Sequence, residues 1–168
     1  MAELTPMDRL QPCLLDRLTD DEPEVSRESR DKRIVSLQRY KNAVLRDLEM
    51  LLNSKRHPLQ DNIYEFDEAA KSVLNFGILD ICGTPILNTK PAEIESHVKE
   101  AVICFEPRIS QRTLSVRMIS PLDSEYIRSI SFEIEAELWA QPLPDRLFVK
   151  TEVDLETGHY KLKGELNG

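Results

Sequence analysis

The hydrophobic positions of this chain keep a helical spacing in two segments, about residues 31–54 and 89–106, and alternate thereafter. Between about Asp31 and Ser54, apolar residues fall at Ile34, Leu37, Val44, Leu45, Leu48, Leu51 and Leu52, with Arg39, Arg46, Asp47 and Glu49 opposite them. That pattern predicts an amphipathic helix with one buried stripe. Ser29 is its candidate N-cap. His57-Pro58 is expected to end it, because the residue before a proline is pushed out of the α region. A second helix is opened by Thr89 and Pro91, carries Ile94, Val98, Ala101, Val102 and Phe105 on one face, and is closed by Pro107 at Phe105 or Glu106.

Residues 57–90 lie between these helices and are the least regular part. Within them, Ser72-Val73-Leu74-Asn75-Phe76-Gly77-Ile78-Leu79-Asp80 combines apolar residues with Asn75 and Gly77, which tolerate positive φ. The stretch reads as a packed, fixed loop, with a helical turn expected within 66–75. Val73, Leu74 and Phe76 are expected in core packing rather than at an interface.

Alternation begins at Leu114, Val116 and Met118. It is clearest where Ile130, Phe132, Ile134, Ala136 and Leu138 interleave with Ser129, Ser131, Glu133, Glu135 and Glu137. That is a strand with one buried and one wet, acidic face. Leu147, Val149, Thr151, Val153 and Leu155 predict a third strand. Glu156-Thr157-Gly158 is a hairpin turn, and Tyr160 and Leu162 continue into a fourth strand. Pro142 and Pro144 mark a break between the second and third. The class is therefore α+β, with N-terminal helices packed on the apolar face of a mostly antiparallel four-stranded sheet.

Residues 1–28 form an acidic tail, with Asp20, Asp21, Glu22 and Glu24 beside a short apolar patch from Leu10 to Leu18. The tail reads as a solvated leader, with docking and ordering on a partner as the alternative. Residues 29–168 are expected to form one domain. The 168 residues hold 30 acidic and 22 basic side chains, a formal charge of −8. A chain so acidic is a poor candidate for binding nucleic acid, which demands a basic face. No apolar run approaches the ~20 residues of a membrane-spanning helix. The first residues are acidic where a signal peptide is basic, so a cytoplasmic location without membrane insertion is expected.

Candidate chemistry is sparse. The three cysteines, Cys13, Cys82 and Cys104, are widely spaced and form no CxxC, which speaks against a disulfide framework or a zinc knuckle. Cys104 is expected to be a small hydrophobe on a buried helix. No glycine-rich phosphate loop, HExxH or Gly-x-Ser-x-Gly occurs, and His57, His97 and His159 are far apart. No catalytic residue, metal site or cofactor is expected. Glu106 is the best candidate for a raised carboxyl of the kind a glycosidase needs. Arg108, two residues on, would lower its pKa, the wrong direction for a general acid.

Two segments carry a resemblance. Ser72 to Asp80 resembles the "SVLNYGLPD" signature of the TssE family, baseplate subunits of type VI secretion systems, and Cys104-Phe105-Glu106-Pro107-Arg108-Ile109 resembles its "FEPRL" signature. The order of elements is similar as well, down to a closing Asp154-Leu155-Glu156-Thr157-Gly158, over about residues 30–164. Phe76 stands where the family has tyrosine, and Ile78-Leu79 replaces Leu-Pro. The resemblance implies a structural subunit of the baseplate wedge of a contractile machine, joined to TssF and TssG. It also implies a handshake-like sheet from which the TssB/TssC sheath polymerises, and a place at a baseplate anchored to the inner membrane. By the same resemblance, Glu106, Pro107 and Arg108 face the wedge core. An internal ion pair or helix-end brace is the alternative for the two charges. Strand augmentation by a sheath arm would use an open edge. The candidates are Arg146–Asp154, with Val149 and Thr151, and His159–Lys163, with Tyr160 and Leu162. The family's older lysozyme-like label supplies the competing enzyme reading, a peptidoglycan hydrolase. The missing export signal and the cation beside Glu106 oppose it.

Overall fold

The computed structural model describes residues 13–19, 24, 37–80, 91–119, 129–139 and 145–164. Four helices are seen among them: α1 (Leu14–Leu18), α2 (Leu37–Leu52), α3 (Asp67–Ala70) and α4 (Pro91–Phe105). Four strands follow: β1 (Ser115–Met118), β2 (Ser129–Leu138), β3 (Asp145–Asp154) and β4 (Tyr160–Gly164). They form one antiparallel sheet in the order β1-β2-β3-β4, so the fold is α+β, as the hydrophobic pattern predicts.

The period-2 pattern becomes the core. Ile130, Phe132, Ile134, Ala136 and Leu138 of β2 are buried on one face, with Val116 of β1 and Leu147, Val149, Thr151 and Val153 of β3. Tyr160 stacks on Phe132 at a centroid distance of 6.4 Å. Facing them are Val44, Leu48, Leu51 and Leu52 of α2 and Ile94, Val98, Ala101 and Val102 of α4. Fully burying one such aliphatic side chain stabilises by roughly 1.5–3 kcal/mol, so this two-layer contact dominates stability. The opposite sheet face is wet and holds cross-strand pairs such as Lys150 with Glu133 at 3.6 Å and Lys163 with Glu152 at 2.6 Å.

α4 ends at Phe105, where Pro107 was expected to close it. α2 stops at Leu52, five residues before His57. The Asn53 N–H and Nδ2 both donate back to the Glu49 carbonyl, at 3.0 and 2.9 Å, while the same side chain reaches across to β4, and Ser54 bonds back to the Met50 carbonyl at 2.8 Å. The expected start of this helix near Asp31, its cap at Ser29, the Thr89 opening of α4, and Pro142 and Pro144 lie outside the described residues.

Residues 57–80 are short turns sewn together. A 3-10 turn at Asn62–Glu65, α3 and a second 3-10 turn at Val73–Asn75 follow one another. Asn75 is their buried tie: it accepts from the His57 N–H at 3.0 Å and donates to the Ala70 carbonyl at 2.9 Å. Its φ is negative, whereas Gly77 adopts +127°. A Cβ on Gly77 would run into the Ser54 carbonyl, so glycine is required there. The fixed loop is thus observed, but its side-chain assignment differs. Val73 is 81% and Leu74 70% exposed, and neither packs in the core; only Phe76 does, edge-on to Phe105 at 5.2 Å. The 3-10 turn is the reason: capped by the Ser72 hydroxyl, it points Asn75 inward and its two predecessors out.

Candidate functional site

The end of α4 builds the corner Glu106-Pro107-Arg108. The Glu106 N–H still closes the last helical turn on the Val102 carbonyl at 2.9 Å. Proline then prevents continuation, and Ile109 bridges Leu138 in antiparallel fashion at the end of β2. The Trp139 N–H donates to the Arg108 carbonyl at 2.7 Å, and the Ser110 N–H to the Glu137 carbonyl at 2.9 Å. The corner is therefore fixed to helix and sheet at once.

Its two charges meet. Glu106, only 4% exposed, accepts on Oε1 from the Arg108 backbone N–H at 3.1 Å and from Arg108 Nε at 2.7 Å. Its Oε2 takes Arg108 Nη2, which also reaches Asp47 Oδ2 of α2 at 2.6 Å. Of the two roles left open for this pair, an internal brace is thus part of the geometry. Burial alone would lower the Arg108 pKa, but the hydrogen bonds and charges of Glu106 and Asp47 outweigh it and raise it above arginine's ordinary range. Arg108 is a fixed cation. Its Nη1 is buried with no hydrogen-bond partner among the described residues.

The network continues outward. Asp47 Oδ1 accepts from Arg46 Nη2 at 2.7 Å, and Arg46 Nη1 reaches Asp16 Oδ1 of α1 at 2.6 Å. Charges therefore alternate from Asp16 through Arg46, Asp47 and Arg108 to Glu106. Beside this row runs a groove of about 820 Å³, mostly apolar. Its walls include Met50, Phe76, Phe105, Pro107 and Trp139, with Cys13 and Leu15 of α1 at one side. Trp139 is 61% exposed there. Tyr40, whose hydroxyl donates to the Trp139 carbonyl at 3.1 Å, has its pKa pushed up by burial.

Neither Asp47 nor Trp139 was singled out by the sequence. Asp47 reads as the wet side of α2, and nothing local signals a partner 61 positions away. The lone tryptophan just beyond a strand is the only hint of the groove. Cys104 is exposed, against expectation, with its thiol toward the Lys71 carbonyl at 3.4 Å. It sits on the flank of α4 away from the Ile94–Val98–Val102 stripe, and Cys82 lies outside the described residues.

The candidate strand edges separate sharply. β3 lies between β2 and β4, with Val149 opposite Gly164 and Thr151 opposite Leu162. Over 149–153 it is an interior strand and has no free edge, contrary to the expectation for Arg146–Asp154. Both Val149 and Thr151 are buried. The outer strand is β4. Since the Asp154 N–H donates to the His159 carbonyl at 3.0 Å, the alternation of the ladder turns the backbone N–H and C=O groups of Tyr160 and Leu162 away from β3. Tyr160 is met by the Asn53 side chain, which donates to its carbonyl at 3.0 Å and accepts from its N–H at 2.9 Å. Leu162 has no such partner among the described residues. The other edge is β1, where the Glu95 carboxylate accepts from the Met118 N–H at 2.8 Å.

Among the described residues, no cluster of His, Cys, Asp and Glu could hold a metal ion, and no helix is long and apolar enough to cross a membrane. No match was found among curated proteins or solved structures. A family model described as "Baseplate wedge protein gp25" matches residues 38–143, a span holding all of α2 but its first residue, the Glu106-Pro107-Arg108 corner, β1, β2 and most of the groove wall. The match covers more than half of the chain, so the chain belongs to the baseplate wedge protein gp25 family, and its role is that of a structural baseplate subunit.

Proposed function

We propose that this chain is a wedge subunit of a type VI secretion baseplate, working in the cytoplasm at a baseplate anchored to the inner membrane. The observation that carries this reading is the Glu106-Pro107-Arg108 corner, rigid on three sides and opening on an apolar groove inside the family-matched span. TssF and TssG are the partners at this face. A groove walled by half-buried Phe76 and Phe105 and exposed Trp139, with a fixed cation at its rim, suits an amphipathic helix, whose apolar side fills the floor. Residues 29–168 act as the wedge domain and residues 1–28 as an appended tail. The role is non-enzymatic: Glu106 only accepts, from three Arg108 donors, and has no geometry for handing on a proton.

The sheath contact falls to β4. An extended arm of TssB or TssC adds beside Leu162 through backbone hydrogen bonds, giving the sheath its first pairing. The two partner classes then occupy different faces, groove and sheet edge.

Co-expression with TssF and TssG, followed by pull-down, tests the first contact. Wild type is expected to retain both, and folded Arg108→Glu to lose them. Folded wild type that retains neither refutes the wedge reading. Leu162→Pro tests the second, because it removes an outward N–H without taking a bond from β3. It is expected to leave the wedge complex intact and reduce sheath initiation.

A further inference from the structure

α1 is oddly placed. It has five residues, and helices so short do not hold themselves in water. It does not bury its leucines either: Leu14, Leu15 and Leu18 are all exposed. Among the described residues its side-chain ties run to one residue of α2. Asp16 Oδ1 meets Arg46 Nη1 at 2.6 Å, and the Cys13 thiol lies 2.9 Å from Asp16 and 3.7 Å from Arg46 Nη2. Yet Cys13 and Leu15 form part of the groove wall, with Met50, Phe105 and Trp139. A segment tied to α2 through Arg46 thus lies along one side of the apolar groove.

The charge row explains how it could leave at little cost. Arg46 keeps Asp47 when Asp16 departs, and Asp47 keeps Arg108. Detachment breaks one partly exposed ion pair, of the kind that contributes little, and leaves the corner intact.

We propose that residues 13–19 are a latched cover on this groove, with Arg46 as the latch. On assembly a helix of a wedge subunit takes their place, bearing leucines for the groove and a carboxylate for Arg46. α1 itself, with leucines around Asp16, displays the chemistry of that occupant. The exchange rests on the wedge reading above; the cover does not.

The full chain tests the cover without any partner. Asp16→Ala cuts the latch and leaves Arg46, Asp47, Arg108 and Glu106 in place, and Asp16→Glu is the conservative control. Alkylation is read per cysteine by peptide mass spectrometry, with exposed Cys104 as reference. Trp139, the only tryptophan, reports on the groove through acrylamide quenching. Asp16→Ala is expected to raise Cys13 labelling about two- to fivefold, the population change a surface ion pair controls. Cys104 should stay constant, Trp139 quenching should rise, and Asp16→Glu should behave as wild type. Unchanged Cys13 labelling overturns the latch. A rise at Cys13 without added quenching of Trp139 overturns the cover. In the pull-down, Asp16→Ala is expected to retain TssF and TssG at least as well as wild type, and a loss overturns the exchange. Wild type that binds neither subunit defeats the wedge reading and the exchange with it, while labelling still decides the cover.

Discussion

Glu106 and Arg108 show how much a buried charge depends on what surrounds it. A carboxylate 4% exposed would be costly alone; here three donors from one arginine meet it, and Asp47 takes a further bond from the same Nη2. Removing one partner strands the other, which in buried pairs costs about 3–5 kcal/mol. Glu106→Ala is accordingly expected to lose about 3 kcal/mol in urea unfolding. The double variant with Arg108→Ala should lose less than the two single losses together, since neither charge is then left behind. Additive losses would mean that the pair is not coupled. The turn at Val73–Asn75 sets up a second contrast. Val73→Ala and Leu74→Ala, at exposed positions, should stay within about 0.5 kcal/mol of wild type. Asn75→Ala should cost about 2 kcal/mol, because the His57 N–H and the Ala70 carbonyl lose their partner. Equal losses at all three positions would contradict the burial described.

At the scale of elements, the legible parts were those with a long, unbroken period. β2 alternates over ten residues, and α4 keeps its stripe between two prolines, so each stood out in the sequence and lies where expected. What stayed hidden is contact between distant parts of the chain. Asn53 reads as an ordinary residue after a helix, yet its amide meets both backbone groups of Tyr160, 107 positions away. It thereby acts as a one-residue strand on the β4 edge, which limits free pairing there. The placement of β3 inside the sheet was hidden for the same reason, since alternation gives faces and not neighbours. The wedge corner was legible only as a motif. Its internal bracing by Asp47 needed the fold. Asn53→Ala is expected to speed amide exchange at Tyr160 by about tenfold, the effect of losing roughly 1.4 kcal/mol of protection. Exchange at Val149 and Thr151, inside the sheet, should not change. A Tyr160 amide that exchanges at the same rate in both proteins would show that the Asn53 contact does not protect the edge.

For the whole molecule, the charge of −8 invites the expectation that acid should stabilise it by relieving repulsion. Linkage points the other way, because only groups whose pKa moves on folding make stability depend on pH. Four described carboxylates move downward. Asp61 is lowered by its hydrogen bond to His57, Glu152 by Lys163 and Ser129, and Asp154 by the backbone N–H groups of Thr157 and Glu156. At Asp16 burial works upward, but the hydrogen bonds from Cys13 and Arg46 prevail. Each group binds a proton less readily folded than unfolded. Its contribution is complete above the unfolded value, about 4 for carboxylates, and is lost as pH falls through the lower folded value. The urea midpoint is therefore expected to be flat from neutral pH to about 5 and to fall below about 4. Asp154→Asn separates the two effects. Its side-chain oxygen can still accept from Glu156 and Thr157, so stability at pH 7 should change little, while the acid fall becomes shallower because one titrating group is gone. A midpoint that instead rises on acidification would mean that repulsion across the whole surface outweighs these four local contacts.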